Sequence, residues 1–534
     1  MKYKIFDKEI TGPFTIPAGI VATEVSIIEK IANDIPEIGI LTTKSIGPEP
    51  RAGYREPIIA QLSPFSFINA VGLTNPGAEE FRKRISKIKI PDNRFLLISI
   101  FGGSEKEFRK VAETLLEFAD GFELNISCPH TEKYGQVVGK DTAILEKIVK
   151  SITLLGKPVF VKVSPNLDVK ETVKAALRGG VSGITAINTR GPELFLHDNY
   201  PVLSNKVGGI SGKAILELGL KCVNEIRSLT DLPIIACGGI STAEGLRQYK
   251  TAGANFFGIG SALAGMDTGK IKQYLHHLLI DFEKGENTAA SFLKEKLNTN
   301  YQKYTVRGNE LLAEDLFLLR LNKEIEIEPG QFIFAWLPEK GEKPFSVLDD
   351  SPLTLLIRKR GCFTEELSKL REGDSLYIRG PYGNPLKLNG KKTLLVGGGT
   401  GIAALYLFAK KYKNTITSLG AKDKNHLAYV EEFKKLSQES SLATENGEIG
   451  YKGRVTDILP EIIIKNKPDY CLNCGPEPMV RKAIEIENKY LSSEKIYSSI
   501  EFLTKCGIGL CGSCATLKGY RSCVDGTFFQ ANQI

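Results

Sequence analysis

The sequence predicts an α/β protein in which a (β/α)8 TIM barrel is followed by a small antiparallel β-barrel, an α/β domain and a cysteine-rich C-terminal segment. Three observations predict this order. Eight short apolar runs alternate with helical stretches up to about residue 282, which fits a barrel better than the alternative, a doubly wound sheet. Short runs separated by turn residues follow, and then a strand enters a helix through a glycine-rich turn. The predicted domains are 1–297, 303–388, 389–500 and 501–534.

The composition is that of a globular protein with several domains. Hydrophobic residues make up 42% and charged residues 25% of 534 residues, which are too many for one core. The net charge of +8 is spread over interspersed acidic and basic residues, which argues against a nucleic-acid partner and suits anionic ligands. No apolar run reaches membrane length. Ten cysteines, four of them closely spaced near the C-terminus, indicate a reducing, cytoplasmic setting.

The barrel prediction depends on eight strand-forming runs. They are IPAGI (16–20), IGILTT (38–43), RFLLISI (94–100), GFELNI (121–126), PVFVKV (158–163), SGITAI (182–187), LPIIAC (232–237) and NFFGIG (255–260). Amphipathic stretches lie between most of them: Glu105–Phe118, Ala143–Leu154, Val169–Arg178 and Gly212–Leu229. The segment 44–93 is longer and more irregular.

Residues that could carry chemistry lie in or after these runs, where a barrel binds its ligands. They are Lys44 after the second run, Asn69 in the loop NAVGLTNPG, Asn125 and Cys128 in NISCPH after the fourth, Lys162 in the fifth, and Asn188 and Thr189 after the sixth. Glycine-rich loops occur in GGISG (208–212), CGGIS (237–241) and GIGSA (258–262). The last two follow strands seven and eight, where barrels commonly bind a phosphate.

Asparagine and cysteine suit the oxidation of a ring with alternating C=O and N–H groups. Asparagine offers a donor and an acceptor together. A thiol with an ordinary pKa of about 8.5 is a plausible base where its surroundings lower that pKa. The alternative for a lone Cys or Asn is a structural role, but the position of Cys128 after a barrel strand favours catalysis.

The second half has two further groups of motifs. The runs LFLLRL (316–321), QFIFAWL (331–337), LTLLIRK (353–359) and DSLYIRG (374–380) predict antiparallel strands. The first motifs are KPFS (343–346) and GCFT (361–364). Next, the strand 393–396 enters the turn GGGTG (397–401), which fits a pyrophosphate at a helix N-terminus but lacks the full GxGxxG pattern. The run 469–480 ends a strand at Cys474. The alternatives are a tight turn for the glycines and packing for Cys471 and Cys474.

Four cysteines near the C-terminus, Cys506, Cys511, Cys514 and Cys523, are spaced C-x4-C-x2-C-x8-C. The first three have the plant-type spacing of a two-iron, two-sulfur cluster, and glycines lie between them. The alternative is a structural zinc site, but such sites usually pair two CxxC units and only one occurs here. The spacing therefore predicts a 2Fe-2S cluster, which passes single electrons.

The first half resembles the class 1 dihydroorotate dehydrogenases through TTKS, NAVGLTNPG, LNISCPH, VKVSPN, INT, GGISGKAI and CGGIST. The resemblance implies FMN on the barrel, dihydroorotate as substrate and Cys128 as the base. It places Lys44, Ser45 and Lys162 at the flavin ring, and Gly212, Gly238, Gly239, Gly260 and Ser261 at other cofactor contacts, mostly the phosphate. It places Lys44, which also contacts the flavin, together with Asn69, Val71, Gly72, Leu73, Asn125, Asn188 and Thr189 at the substrate.

His130 departs from many relatives, which have asparagine there. The dihydropyrimidine dehydrogenases have SCPH, so uracil or thymine is an alternative substrate class. The longer NAVGLTNPG loop resembles the dihydroorotate enzymes, and we give it the greater weight. His130 is either a substrate contact or a hydrogen-bonded loop residue.

The second half resembles the electron-transfer subunit of dihydroorotate dehydrogenase B, a ferredoxin-reductase-like protein. The resemblance implies FAD at Lys343, Pro344, Phe345, Ser346, Gly361 and Thr364, and NAD at Gly397, Gly398, Gly399, Thr400, Gly401 and the CGP turn. Lys343 replaces the usual arginine and loses its bidentate fork.

The two resemblances together predict two normally separate subunits joined in one chain. Electrons would pass from dihydroorotate to FMN, the cluster, FAD and NAD+, and the barrels would form a homodimer. NADP and the reverse direction stay open as alternatives. An alternative of another class is an electron-transfer module whose barrel has lost catalysis, but the set Lys44, Asn69, Asn125 and Cys128 argues against it.

Overall fold

The computed structural model describes residues 3–126, 139, 141–293, 297 and 299–534. The chain divides into two compact units. The first comprises Met1–Leu297 together with Ile508–Gly519, and the second comprises Asn298–Gly507 together with Tyr520–Ile534. A short stretch near the C-terminus therefore belongs to the first unit, although its neighbours in sequence belong to the second.

Eight parallel strands form a closed barrel in the first unit, which confirms the predicted fold class. They are β1 (Phe14–Thr15), β2 (Ile38–Thr42), β3 (Phe95–Ile100), β4 (Gly121–Asn125), β5 (Val159–Val163), β6 (Gly183–Ala186), β7 (Ile234–Cys237) and β8 (Phe256–Gly258). They pair in chain order, and β8 pairs with β1 to close the ring. Most of their residues are buried, as expected for strands covered on both faces.

The first barrel strand lies earlier than the run 16–20 predicted. Phe14–Thr15 forms the strand, because Pro17 cannot donate to a strand ladder and the chain turns where Ile20 N donates to Pro17 O. The other seven strands lie within their predicted runs.

Helices surround the barrel and follow its strands. They are α1 (Val25–Asp34), α2 (Ala78–Ile85), α3 (Glu105–Leu115), α4 (Thr142–Thr153), α5 (Val169–Arg178), α6 (Leu216–Arg227), α7 (Ala243–Thr251) and α8 (Thr268–Lys284). Side chains that accept hydrogen bonds from first-turn N–H groups begin several of them, for example Ser104, Asp141 and Asp168. The helix predicted from Gly212 begins only at Leu216, because residues up to Gly212 continue as a strand.

A four-stranded antiparallel sheet accounts for part of the irregular segment 44–93. In hydrogen-bonded order its strands are Arg190–Leu194, Val207–Gly212, Ser66–Asn69 and Ile59–Ser63. It aligns Asn69 with Gly209. Two short hairpins, Tyr3–Ile5 with Lys8–Ile10 and Leu196–His197 with Tyr200–Pro201, complete the strands described in this unit.

The second unit begins with a seven-stranded antiparallel sheet. Its strands are β9 (Gln302–Ala313), β10 (Leu316–Leu321), β11 (Phe332–Leu337), β12 (Gly341–Ser346), β13 (Asp349–Asp350), β14 (Leu353–Arg358) and β15 (Ser375–Tyr382). The hydrogen-bonded order is β12-β11-β15-β9-β10-β14-β13. The short helix α9 (Cys362–Ser368) follows β14.

A second sheet of seven strands forms the α/β part of this unit. Its strands are β16 (Thr393–Gly398), β17 (Thr415–Ala421), β18 (Glu439–Thr444), β19 (Tyr451–Lys452), β20 (Tyr470–Cys474), β21 (Ile496–Ser499) and β22 (Phe529–Gln530). The order is β19-β18-β17-β16-β20-β21-β22, and only the last pair is antiparallel. Its helices are α10 (Ile402–Lys411), α11 (Val430–Leu436), α12 (Leu459–Asn466) and α13 (Glu477–Glu487).

Across the described ranges, no helix combines the length and the apolar character needed to cross a membrane.

Candidate active site

A chain of hydrogen bonds joins three neighbouring strands at one end of the barrel. Asn125 Nδ2 donates to Ser45 Oγ over 3.0 Å, and Ser45 Oγ lies 2.9 Å from Ser99 Oγ. Ser99 in turn donates to Glu123 Oε1 over 2.9 Å. The register of the sheet causes this arrangement, because Ser99 and Glu123 are direct partners on β3 and β4.

Two buried lysines belong to the same end of the barrel. Lys44 follows β2 and is 8% exposed, and Lys162 lies in β5 and is 5% exposed. Lys162 is the direct partner of Asn125 across β4 and β5, and its Nζ lies 3.9 Å from Glu123 Oε1. Buried ammonium groups are costly unless anions face them, so these two suit an anionic ligand group.

Two further polar residues, Asn188 and Thr189, lie in the loop after β6 and join the hydrogen-bonded group around Asn125. Asn188 Nδ2 lies 3.5 Å from Asn125 Oδ1, and Asn188 Oδ1 accepts from Thr189 N over 2.8 Å. Asn166, in the loop after β5, donates to Thr189 O over 3.0 Å and accepts from Gly191 N over 2.9 Å. The structure therefore brings Asn125 and Asn188 together and braces their loop with Asn166.

The loop that carries Asn69, Val71, Gly72 and Leu73 follows the strand Ser66–Asn69. Asn69 Nδ2 donates to Gly209 O over 3.3 Å, which ties the start of the loop to the neighbouring strand. Val71 O accepts from Tyr54 N over 3.0 Å. Gly72 and Leu73 both have positive φ, so the loop turns sharply at these two residues.

Glycines after the later strands form a cradle of bare backbone. A Cβ at Gly212 would overlap the carbonyl oxygen of Phe65 and lie 3.0 Å from Ser261 Oγ. A Cβ at Gly239 would lie 2.9 Å from Gly212 O, so Gly212, Gly239 and Ser261 are neighbours. Gly260 precedes the 3-10 turn Ser261–Leu263. A flavin phosphate fits a cradle of this kind, where backbone N–H groups face an anion.

Cys128 and His130 lie outside the residues that the structure describes, so their assigned roles stay predictions. A different cysteine, Cys237, ends β7 beside Gly238. Its Sγ donates to Ile187 O over 3.2 Å, and burial raises the pKa of this thiol to about 11. Cys237 is therefore a neutral packing thiol and does not compete with Cys128 as a base.

Sequence reasoning missed Ser99, Glu123 and Asn166. A usable signal existed for Glu123, which is the one acidic residue in the run GFELNI and stands two positions before Asn125 on the same face. Ser99 gave no such signal, because a serine inside an apolar run is common in buried strands. Asn166 ends the motif VKVSPN, and that motif is the signal that could have found it.

The second unit contains a cavity of about 690 Å³. It is lined by Lys343–Ser346, Leu356–Arg358, Arg360–Thr364, Gly398–Gly401, Ala403, Cys474–Pro476 and Ser499–Thr504. The structure therefore brings the KPFS, GCFT, GGGTG and CGP motifs to one place. Gly397 is the exception: it lies within β16 and packs toward Ile402 and Leu419.

Backbone rather than side chains forms one wall of this cavity. Gly399–Gly401 is a 3-10 turn that leads directly into the ten-residue helix α10, and Ile402 N donates to Gly399 O and Thr400 O. A Cβ at Gly401 would overlap the backbone of Cys474, so only glycine allows the two loops to approach. This geometry suits a pyrophosphate.

Charged side chains lie at the rim of the cavity. Arg358 donates to Asp315 Oδ2 over 2.6 Å, and Arg360 donates to Glu501 Oε2 over 2.9 Å. The hydrogen bond from Arg358, with a second from His426, lowers the pKa of Asp315 to about 2. Arg360 and Glu501 are largely exposed, so this ion pair is weak. With Lys343, the rim offers cationic groups to a phosphate.

The four C-terminal cysteines are all buried, and their loops are anchored in their own units. In the first unit, Thr23 Oγ1 donates to Cys511 O over 2.9 Å and Ser26 Oγ donates to Thr516 O over 3.0 Å; Cys514 lies between them in sequence. In the second unit, Arg379 donates to Cys506 O over 3.0 Å and Gly383 N donates to Cys523 O over 3.2 Å.

The described residues contain no group of three or more His, Cys, Asp or Glu side chains placed to hold a single metal ion. A two-iron cluster has a different requirement, because its four thiolates are divided between two irons. Gly507, Gly509 and Gly512 have positive φ, which allows the close backbone approach that such a cluster needs. Thiolates are the ligands of such a cluster, and the cluster stays a prediction from the spacing of the four cysteines.

Comparison with known proteins identifies the class. The family model "Dihydroorotate dehydrogenase" matches residues 1–279, more than half of the chain, so the chain belongs to the dihydroorotate dehydrogenase family.

Two catalytic-subunit relatives define the similarity more closely. The chain is 36% identical over 302 residues to the catalytic subunit of dihydroorotate dehydrogenase B (NAD(+)) of Pyrococcus horikoshii, covering 55% of this chain and 93% of that protein. It is 38% identical over 269 residues to the corresponding subunit of Methanocaldococcus jannaschii, covering 49% of this chain and 87% of that protein.

A third relative belongs to the other subunit type. A Pyrococcus furiosus protein named "probable dihydroorotate dehydrogenase B (NAD(+)), electron transfer subunit" is 40% identical over 225 residues, covering 42% of this chain and 87% of that protein. A solved NADH-dependent reduced ferredoxin-NADP oxidoreductase chain aligns at 32% identity over 43% of this chain and 88% of its own, with a TM-score of 0.40, too low to support an argument. One chain is thus similar to both subunits of a two-subunit enzyme.

Proposed function

We propose that this chain oxidises dihydroorotate to orotate and delivers the electrons to NAD+ through FMN, a 2Fe-2S cluster and FAD. The observation that carries the proposal is a set of side chains at one end of a barrel of this family: the buried Lys44 and Lys162 with the half-buried Asn125 and Asn188. The similarity to catalytic and electron-transfer subunits supports the complete path.

The barrel residues have separate tasks in this proposal. Asn125 and Asn188 present amide donors and acceptors to the pyrimidine ring, and the loop 69–73 receives its carboxylate. The ammonium groups of Lys44 and Lys162 stabilise negative charge on the flavin ring, and the backbone at Gly212 and Gly239 holds its phosphate. Bound FMN supplies the hydride acceptor. Cys128 takes the proton from C5 of the substrate, while a hydride leaves C6, and together these losses form the double bond of orotate.

The second unit would hold the two dinucleotides. The cavity of about 690 Å³ is large enough for most of one such ligand and opens on two sets of motifs. We assign FAD to Lys343–Ser346 and to Gly361 and Thr364, and the nicotinamide nucleotide to Gly398–Gly401 with the CGP turn. The cluster would be held by Cys506, Cys511, Cys514 and Cys523, and it would pass electrons from FMN to FAD. The cluster takes one electron at a time, whereas a flavin exchanges electrons singly or in pairs.

An anaerobic assay panel tests the function directly. The purified chain is given dihydroorotate, dihydrouracil or dihydrothymine, each with NAD+ or NADP+, and pyrimidine product and reduced nucleotide are measured. We expect orotate and NADH in equal amounts from dihydroorotate. Turnover of dihydrouracil or dihydrothymine instead would reassign the substrate. No turnover of any of the three would make the barrel a scaffold for electron transfer.

The cofactor assignment has its own measurement. Flavins released from fully loaded protein should be one FMN and one FAD per chain, and iron analysis should give two irons per chain. A single flavin type, or zinc without iron, would contradict it. The homodimer through the barrels stays a prediction, which sedimentation at several protein concentrations tests.

A further inference from the structure

A buried carboxylate, Glu123, lies at the inner end of the candidate substrate site and has no part in the reaction described above. It is 2% exposed in the middle of β4. Its Oε1 accepts from Ser99 and lies 3.9 Å from Lys162 Nζ. A buried carboxylate is stabilised only by such donors and cations, so both contacts bear on where the side chain is held.

The contact with Ser99 sets the direction of the whole hydrogen-bond chain. A serine hydroxyl has one proton, and Ser99 gives its proton to Glu123. In the pair Ser45–Ser99, at 2.9 Å, Ser45 must then be the donor. Ser45 Oγ has its lone pairs left, and it accepts from Asn125 Nδ2. The carboxylate of Glu123 therefore determines which hydroxyl donates in the serine pair, and the serine pair determines how the Asn125 amide is turned.

This direction determines which end of the Asn125 amide faces the substrate. Because Nδ2 is bonded to Ser45, Oδ1 points the other way, toward Asn188, whose Nδ2 is 3.5 Å distant. An asparagine with its amide reversed would present a donor where the site now presents an acceptor. A pyrimidine N–H would then meet an N–H.

The second contact of Glu123 concerns Lys162. The two strands place Lys162 opposite Asn125, so the carboxylate two residues before Asn125 lies beside the ammonium group. The ammonium is 5% exposed, and the carboxylate is a negative charge near it within the barrel. Glu123 therefore balances part of the charge that Lys162 offers to a flavin.

We propose that Glu123 is a positioning residue with two separable effects: through Ser99 and Ser45 it orients the Asn125 amide toward the pyrimidine, and through Lys162 it adjusts the charge beside the flavin. The proposal rests on the function proposed above. Glu123 would thus determine specificity without touching either the pyrimidine or the flavin.

Three substitutions in the full-length holoenzyme separate the two effects. Ser99→Ala breaks the chain to Asn125 and leaves the Glu123–Lys162 contact. Glu123→Gln removes the charge beside Lys162 but keeps an amide oxygen that can accept from Ser99. Glu123→Asp retains the charge on a shorter side chain. Asp281→Asn is the control, because Asp281 is also a buried carboxylate, but its side chain accepts from Thr288 and Ala289, far from Ser99 in the sequence.

The probe is orotate, titrated into oxidised enzyme and followed by the absorption change of the bound flavin, with flavin content and the FMN reduction potential measured on the same samples. Ser99→Ala should weaken orotate binding about tenfold, the size of one lost buried hydrogen bond, with an unchanged potential. Glu123→Gln should raise the potential, because a negative charge is removed, and should leave orotate binding nearly unchanged, because the acceptor for Ser99 is kept. Glu123→Asp keeps the negative charge, so its FMN potential should be close to that of the wild type.

The outcomes decide between the proposal and a structural role. Equal orotate affinity in the wild type and Ser99→Ala would overturn it, and so would an unchanged FMN potential in Glu123→Gln. So would a loss of affinity in Asp281→Asn as large as that in Ser99→Ala. If Ser99→Ala does not fold, Ser45→Ala breaks the same chain one link later and should give the same weakening. If the wild type itself binds no orotate, the proposed function fails and the proposal fails with it.

Discussion

The two units form their candidate sites in different ways. In the barrel, the site is a set of polar side chains that bond to one another: the buried Ser45, Ser99 and Glu123 and the half-buried Asn125. In the second unit, the cavity has a wall of glycine backbone and a rim of exposed charges such as Arg360 and Glu501. The barrel is thus organised before a ligand arrives, whereas the cavity offers generic phosphate-binding groups.

This difference predicts how each site responds to substitution. A buried side chain that loses its partner leaves an unsatisfied polar group, which costs about 1–3 kcal/mol or more. An exposed ion pair contributes about 0–1 kcal/mol. Changes in the barrel should therefore be large and specific, and changes at the cavity rim should be small and graded.

The largest effect is expected when the predicted cluster, which would take electrons from FMN, is lost. Cys511→Ser should abolish the cluster and NAD+ reduction, because serine is a poor substitute for a thiolate ligand. Reduction of the bound FMN by dihydroorotate should continue, since Cys511 is not among the predicted catalytic residues. Cluster absorption, iron content and NADH formation are measured on one preparation.

Cys222→Ala is the control for this substitution. Cys222 is also buried but lies in α6, outside the four-cysteine segment, so this variant should retain iron and turnover. Full NAD+ reduction by Cys511→Ser would remove Cys511 from the electron path.

The next largest effect tests the base. General-base catalysis contributes about 10²–10⁴-fold, so Cys128→Ala should lose roughly that much in the rate of FMN reduction. Cys128→Ser should recover partly at high pH, because a hydroxyl is a much weaker acid than a thiol. Orotate binding should change little in both variants, since the asparagines hold the ring. Anaerobic stopped-flow bleaching of the flavin across pH is the measurement. Unchanged bleaching in Cys128→Ala would move the search for the base to His130.

The comparison also explains what the sequence could predict. Seven barrel strands lie within the predicted runs, because buried parallel strands are continuous apolar stretches. The first barrel strand lies outside its predicted run, because that run contains Pro17, which cannot donate to a strand ladder. The sequence motifs of the second unit mark backbone turns, which are local, and their residues meet at one cavity.

The polar chain from Glu123 to Asn125 was beyond such reasoning. Ser99 and Glu123 become neighbours only through the register of β3 and β4, and Lys162 meets Asn125 only through that of β4 and β5. No local spacing encodes these pairings, because the strands are separated by whole helices. The chemistry assigned to Cys128 remains a prediction from its motif.

A smaller effect is expected at the cavity rim. Lys343→Ala should weaken FAD retention about tenfold, and Lys343→Arg should strengthen it several-fold, because a guanidinium binds phosphate with two parallel hydrogen bonds. Lys340→Ala is the control: Lys340 is exposed, pairs with Glu366 and does not line the cavity. FAD remaining after dialysis is the measurement. Equal retention in the alanine and arginine variants would show that Lys343 does not contact the phosphate.

The last effect concerns stability rather than binding, and it lies in the core of the second unit. Glu487 ends α13 and is fully buried, and Asn473 Nδ2 donates to its Oε2 over 2.7 Å. Burial raises the pKa of this carboxyl to about 8, against the lowering effect of the Asn473 hydrogen bond. The folded state therefore holds a proton that the unfolded chain releases near its ordinary pKa of about 4.3.

Glu487→Gln tests this prediction through the pH dependence of unfolding. Because the folded wild type binds the extra proton between those two pKa values, its stability is highest below the lower value and falls as pH rises toward 8, by at most about 1.4 kcal/mol per pH unit. Glutamine fills the same volume, accepts the same hydrogen bond and does not titrate, so the variant should lose this decline and be the more stable protein near pH 8. Glu485→Gln, an exposed change on the same helix that removes a pair with Lys482, should keep the wild-type profile. Thermal unfolding of the holoenzyme at a series of pH values measures all three proteins. Parallel profiles for the wild type and Glu487→Gln would mean that Glu487 is ionised in the folded protein, with its charge balanced by the polar groups around it.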